Sequence, residues 1–344
     1  MSRRMRLASL CRQAPLSGRE IRLVVWVIIG FLCLAFLPLV LGEYGLSTMR
    51  DALIMSLVAL SLDFLWGRAH ILCLGHAVFF GLGAYGMAIA TTKFALCAFG
   101  GLVAGVAAAA VLAAVIGYFL IYSGVRLHFF AIVTMALSLI VGQLVVSWSS
   151  LTGGDVGILG VPGLSWNLFG SPADFSGTNG SYCLALGLVA FFLLLLWLAG
   201  RSNYGKVLAA LGMNELRAHA LGHDTSFYLL AVFIFTAALA GLAGVLFAAA
   251  NQVVAPDLFS ALLSTEAIVW VAVGGRGTLI GPVAATLLIS RLQLELSSWS
   301  TSLWPILIGT FFVLQVVFLP DGLASLRRLR WPASGRIIAS PEVS

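Results

Sequence analysis

The chain has 344 residues, 61% of them hydrophobic and 9% charged, with a mean hydropathy of +1.06. A soluble protein with that balance would have no polar surface to show water, so the composition excludes the soluble classes. The net charge of +6 is no nucleic-acid signal, because the basic residues stand scattered at the ends of apolar runs.

Residues 1–22 carry Arg3, Arg4, Arg6, Arg12, Arg19 and Arg22, and the apolar run 23–41 follows. About 20 apolar residues cross a bilayer. No small-residue cleavage site follows the run, so a retained first helix is expected and not a signal peptide. Further apolar runs cover 52–66, 71–92, 95–122, 127–148, 182–199, 227–250, 258–273, 278–294 and 303–319. The expected fold is an all-α polytopic membrane protein with about ten transmembrane helices. A path that begins inside puts 16 of the 19 basic residues in the cytoplasm, and only Arg50, Lys93 and Arg291 stand outside or near the outer face. The expected plan is then a basic cytoplasmic N-terminus 1–22, a transmembrane domain 23–319 and a cytoplasmic tail 320–344 that lies at anionic lipid. A polar segment, 201–226, falls in the cytoplasm, and a loop, 149–181, falls outside. The five cysteines, Cys11, Cys33, Cys73, Cys97 and Cys183, have neither metal nor disulfide spacing.

Within the second run Asp63 lies about one helical turn from Arg68 and is expected to pair with it. In the third run Gly75, Phe79, Gly83, Gly86 and Ala90 share one helical face, where a neighbouring helix can come close. His76 is the ionisable group there, either a path residue or a neutral histidine bonded to a neighbour. Similar small-residue spacing at Gly101 and Gly105, and at Ala237, Ala240, Gly241 and Gly244, marks further packing seams. The outer loop starts with Thr152, Gly153, Gly154 and Asp155, which is turn chemistry. It either touches a polar solute at the outer mouth or is an ordinary surface turn.

The polar segment reads as two short helices. Val207–Leu211 ends at Gly212; Asn214 then caps Glu215–Leu221, and Gly222 stops it. So short a helix is unstable alone in water. Its apolar edge of Leu216, Ala220 and Leu221, beside Glu215, Arg217 and His219, suits docking by another protein; the alternative is a loop lying on lipid headgroups. The run from Gly200 to Lys206 matches a phosphate-binding loop until Val207 replaces the magnesium-binding hydroxyl, and no strand precedes it. That motif is a decoy. Glu266 sits inside a span and must face protein or water, which makes it a path candidate. Gly274, Gly275, Arg276, Gly277, Gly281 and Pro282 divide two short apolar runs. They form either a tight cytoplasmic hairpin or a discontinuous element entering the membrane.

Five stretches occur in order: Leu74-Gly-His-Ala-Val-Phe-Phe-Gly-Leu-Gly-Ala-Tyr85, Thr152-Gly-Gly154, Asn214-Glu-Leu-Arg-Ala218 with Leu221-Gly222, Ala240-Gly-Leu-Ala-Gly244, and Gly274-Gly-Arg-Gly-Thr-Leu-Ile-Gly-Pro282. Together they resemble the LivM-type permeases of the branched-chain amino acid ABC transporters. The resemblance implies a half-channel subunit of an importer in the bacterial inner membrane, paired with a second related permease. It implies two cytoplasmic ATPases that bind the ATP, so that this chain carries no cofactor, and a periplasmic binding protein that delivers solute. It also implies that the segment Asn214–Gly222, with Ala218 at its middle, is the coupling element gripped by the ATPase. The implied fold is the ten-helix importer type, in which two sets of helices form an inverted repeat.

Two stretches depart from the family pattern, Arg68-Ala-His-Ile-Leu-Cys73 before the Leu-Gly-His motif and Gly153-Gly-Asp-Val-Gly157 in the outer loop. They leave the solute open between branched-chain amino acids and small polar relatives such as urea or amides. A stand-alone secondary transporter or channel is the competing reading, set against the sparse intramembrane charges Asp63, His76 and Glu266. An enzyme is not expected, since no nucleophile or metal constellation stands at consistent depth.

Overall fold

The computed structural model describes residues 29–39, 42–124, 127–168, 171–174, 177–222, 224–299 and 309–310. The chain divides into two compact units, Met1–Gly42 and Glu43–Ser344. Of the first, the described part is a helical stretch over 29–36 and a 3-10 turn, Leu37–Leu39.

The second unit is built from ten helices among the described residues, set aside a helical turn at Ser149–Thr152. They are α1 (Glu43–Ala69), α2 (His76–Thr92), α3 (Ala98–Tyr122), α4 (Leu127–Ser147), α5 (Thr178–Arg201), α6 (Asn203–Met213), α7 (Glu215–Ala220), α8 (Thr225–Asn251), α9 (Ala261–Gly274) and α10 (Ile280–Trp299). Strands are vestigial. β1 (Ile158–Leu159) pairs antiparallel with β4 (Val253–Val254), and β2 (Ser165–Leu168) with β3 (Ser171–Asp174). Eight of the ten apolar runs coincide with described helices, α1–α5 and α8–α10; the run 303–319 lies outside the described residues except for 309–310. Among the described residues, five helices are long and apolar enough to cross a membrane: Glu43–Ala69, Ala98–Tyr122, Phe129–Ser147, Thr178–Arg201 and Thr225–Asn251.

The core is a seam of α2, α3 and α8. A methyl group on Gly83 would strike the Gly241 backbone, one on Gly105 the Gly83 carbonyl, and one on Gly244 the Phe80 carbonyl. Small residues there let backbones touch, which is how helices associate where lipid is as apolar as leucine. The seams expected at Gly83, Gly105, Gly241 and Gly244 are therefore real. Around it α3 and α5 turn apolar side chains outward, including Val111, Phe119, Phe191 and Leu194. That suits contact with lipid chains.

α1 and α8 set the frame. Both have 27 residues and both are buried over most of their length. Arg50, near the start of α1, donates to the Ala250 carbonyl at 3.1 Å and to Asn251 Oδ1 at 2.8 Å, so the two run antiparallel. One end of the bundle carries Ala69 and is called the lower end; the other carries Arg50 and Asn251. Both helices finish on a left-handed residue that is not glycine, His70 (φ 58°) and Gln252 (φ 59°). Each is followed by irregular backbone and then by a helix too short to cross alone, α2 with 17 residues and α9 with 14. The same sequence of shapes thus occurs twice in opposite directions, as the inverted repeat requires.

Candidate functional site

The lower end is organised by helix caps. Ser202 Oγ accepts from Gly205 N at 3.3 Å and opens α6. Asn214 Oδ1 accepts from Arg217 N at 3.0 Å and opens α7, and Asp224 Oδ1 accepts from Phe227 N at 3.2 Å and opens α8. Gly222 takes φ 86°, a left-handed conformation that ends the segment as expected. The first short helix is longer than the sequence suggests. It begins at Asn203 and runs through Gly212 to Met213, because the Ser202 cap starts it early and Asn214 ends it.

The α6 face of Gly205, Leu208 and Leu211 is buried. Tyr204 donates from its hydroxyl to the Tyr228 carbonyl at 3.0 Å. Burial first, and the neighbouring Tyr228 second, push that hydroxyl up to about 12, so it stays a donor through the physiological range. Arg68 Nη1 donates to the Gly200 carbonyl at 3.3 Å. The His70 ring lies so close to Gly212 that a methyl group there would collide with it. In α7 Ala218 is buried, whereas Glu215, Arg217, Ala220 and the following Leu221 are exposed. Met213 is 86% and Leu221 79% exposed, two large apolar side chains facing outward in the most polar part of the chain.

The glycine-rich stretch is a tight turn at the same end. Gly275 and Gly277 have positive φ, and Thr278 Oγ1 donates to the Gly275 carbonyl at 2.7 Å. Gly67 lies directly against Gly277, Gly274 packs on Gly281 and Pro282, and the Arg276 guanidinium stacks over Trp66 with 4.9 Å to the ring centroid. Asp63 holds the turn by accepting from Gly277 N at 2.6 Å and from Leu279 N at 2.9 Å. The expected pairing of Asp63 with Arg68 is thus replaced: two backbone donors satisfy the buried carboxylate, and Arg68 reaches Gly200 instead.

Farther along the bundle, the two breaks meet. Ser61 lies eight residues from Ala69, about 12 Å by the helical rise, and its Oγ is 2.7 Å from His76 Nε2. Since the Ser61 hydroxyl donates to the Val58 carbonyl at 2.8 Å, this contact assigns the ring proton to Nε2. Ala77 N donates to Ser264 Oγ at 3.2 Å, which joins the first turn of α2 to the first turn of α9. Ser138 Oγ donates to the Phe259 carbonyl at 2.7 Å, and Gly75 presses on the Thr134 backbone. His76 is fully buried here. Phe79 packs edge-on against Phe233 of α8 at 5.4 Å, in the same seam as Gly83. Gly75, His76, Phe79 and Gly83 are therefore brought together, inside protein.

The loop residues form a latch at the upper end. Thr152 is buried, with its hydroxyl donating to the Val145 carbonyl at 2.6 Å and accepting from Gly154 N at 3.4 Å. Gly153 N bonds to Ser149 O at 3.0 Å, so these backbone donors are used internally. Asp155 is exposed. Glu266 stands apart from all of these, half-buried on α9 beside exposed Thr265 and Leu262.

Sequence reasoning did not single out Ser61, Thr134, Ser138 or Ser264 as a layer. Isolated hydroxyls in apolar runs give no signal, because most can bond to their own helix, as Thr134 does with the Phe130 carbonyl at 2.9 Å.

Comparison with known proteins agrees with this architecture. The family model described as branched-chain amino acid transport system, permease component, matches residues 44–316. The high-affinity branched-chain amino acid transport system permease protein LivM of Salmonella typhimurium strain LT2 is 29% identical over 311 residues, covering 83% of this chain and 71% of that protein. LivM of Escherichia coli strain K12 matches with the same identity and coverage. No solved structure matches. With a matched stretch that takes in α1 to α10, the chain is a multi-pass membrane permease, and it belongs to the family of branched-chain amino acid transport permease components.

Proposed function

We propose that this chain is one membrane-spanning subunit of an ATP-driven importer for branched-chain amino acids or a related small polar solute. It forms the path with a second, related permease in the bacterial inner membrane. A periplasmic binding protein delivers the solute to the upper end, and two ABC ATPases, which bind the ATP, clasp the lower end. Both chain termini then lie in the cytoplasm. The observation that carries this reading is α7, six residues long, with Met213 and Leu221 exposed on either side of it. A helix of that length is not stable alone. Of its described side chains only Ala218 is buried in this chain, which leaves the rest of its surface for a docking partner.

The contacts of α6 support a mechanical link to the membrane interior. When the ATPases close, α6 and α7 move together, and His70 follows through its contact with Gly212, while Arg68 ties the same stretch to Gly200 at the end of α5. The short stretch 70–75 connects them to His76 and to the junction of α2 with α9. The test is charge reversal of Glu215 and Arg217 in the complex reconstituted with its ATPases and binding protein. ATP-dependent uptake should be lost while membrane insertion persists. Unchanged uptake would defeat the reading, as would solute uptake by the isolated chain driven by an ion gradient.

A further inference from the structure

At the upper end the ribbon of β1 and β4 has one face in the protein and one face outside it. Ile158 stands opposite Val254 and Leu159 opposite Val253. The first pair is buried, whereas Leu159 is 63% and Val253 40% exposed, and Val156, just before β1, is 71% exposed. The backbone holds this face in place. Gly160 N and Val161 N both donate to the Gln252 carbonyl, at 3.0 and 3.1 Å, and Gly157 lies directly on the Val254 carbonyl. The 3-10 turns that flank the ribbon, Gly154–Val156 and Pro256–Phe259, pack on each other, so the exposed Asp155 and Asp257 stand on adjoining turns. Neither 148–168 nor 252–260 contains a Lys or Arg. Arg50, beside Asn251, is buried and already committed to its own partners.

Acyl chains do not suit this face. Arg50 lies nineteen residues from Ala69 along α1, about 28 Å by the helical rise and so nearly the full thickness of the hydrocarbon layer. Asn251 is bonded to Arg50 at that level, and β4 follows it at once. Two carboxylates turned toward lipid tails would each be costly. Apolar side chains on a fixed turn at the water boundary, with a charged rim, have the anatomy of a protein contact. On these grounds, and resting on the importer reading above, we infer that the ribbon of β1 and β4 is the seat of the solute-binding protein. Val156, Leu159 and Val253 fill an apolar hollow on that partner, and Asp155 and Asp257 face basic side chains around its edge. β4 leads through Pro256–Phe259 to the Ser260 cap of α9, so a partner seated here bears on the start of that helix.

The test uses the full complex in proteoliposomes, with Cys11, Cys33, Cys97 and Cys183 replaced by serine and buried Cys73 retained. Leu159→Cys and Val253→Cys should react with a charged, membrane-impermeant thiol reagent added from the upper side. The binding protein should slow that reaction about tenfold. Val111→Cys, on the lipid-facing side of α3, should stay inert. Asp155→Lys combined with Asp257→Lys should raise the KM for the binding protein about tenfold at unchanged kcat, because rim charges act on encounter. The milder Asp155→Asn with Asp257→Asn should raise it about threefold, and reads the same role if the reversed form does not fold. In the wild type this KM should climb with salt, and in the reversed form it should not. Inert cysteines would put the ribbon against lipid or the second permease and overturn the site, as would labelling that the binding protein leaves unchanged. An equal KM in all three forms would overturn the acidic rim. A complex that is protected from labelling yet imports nothing with ATP would sink the importer reading and leave the docking site standing.

Discussion

Asp63 and Gly277 are 214 positions apart in sequence and joined by a hydrogen bond of 2.6 Å. The second Asp63 oxygen accepts from Leu279 N at 2.9 Å, so one buried carboxylate satisfies two donors of a turn that has no ladder of its own. Asp63→Ala leaves the buried Leu279 N–H unpaired, at about 1–3 kcal/mol, and releases the exposed Gly277 N–H to water. Asp63→Asn keeps one acceptor and should fall between the two. Thermal unfolding of the purified chain in detergent should therefore rank wild type above Asp63→Asn above Asp63→Ala. Equal stability of all three would show that the turn is held by Gly67 and Arg276 alone.

Arg50 explains one exception to the charge rule. The residue is 6% exposed, and its guanidinium is shared among Asp51 Oδ1 at 3.0 Å, the Ala250 carbonyl and Asn251 Oδ1. It is a clamp between α1 and α8, placed where the chain turns through Gln252. Arg50→Ala removes a charged donor from three acceptors and should cost about 1–3 kcal/mol. Arg50→Lys should recover little, since an ammonium cannot reproduce the fork. The midpoint of thermal unfolding reads both.

The core seam makes a stronger demand. Gly83→Ala places a methyl group against the Gly241 backbone, which cannot yield as a side chain can. Overpacking of this sort costs about 1–3 kcal/mol or more. The variant should insert into the membrane and then unfold at lower temperature than wild type. Gly187→Ala is the control, because a methyl group there meets nothing within 4 Å.

What could be read without coordinates follows from the range of each signal. Apolar run length finds a membrane helix, and Asn214 and Gly222 mark their helix ends, because each works within a few residues. Small residues on one face of α2 announced the seam for the same reason. The bond between Asp63 and the Gly277 turn had no local trace, and Arg68, one turn away, was the natural wrong partner. The second break was also hidden. The apolar run 258–273 read as one helix, yet residues 258–259 belong to a 3-10 turn, with Phe259 held by Ser138, and α9 begins only at Ala261. The short strand β4 before the turn had no signal. Left-handed backbone at His70 and Gln252 is likewise invisible where no glycine marks it.

Gly212 offers the sharpest test of how the lower end drives the interior. A methyl group at Gly212 would collide with the His70 ring and approach the Arg68 carbonyl at 2.8 Å. Gly212→Ala should therefore push α6 away from the stretch 70–75 without touching the exposed surface of α7. ATPases should still bind and hydrolyse ATP, while uptake per ATP falls. His70→Gly in the Gly212→Ala background removes the ring and should restore part of the coupling, whereas His70→Gly alone should lower it by loosening the same contact. The measurement is the ratio of solute imported to ATP hydrolysed in proteoliposomes. If Gly212→Ala lowers hydrolysis and uptake in equal proportion, α6 serves only to seat the ATPase, and motion reaches α2 and α9 by another route.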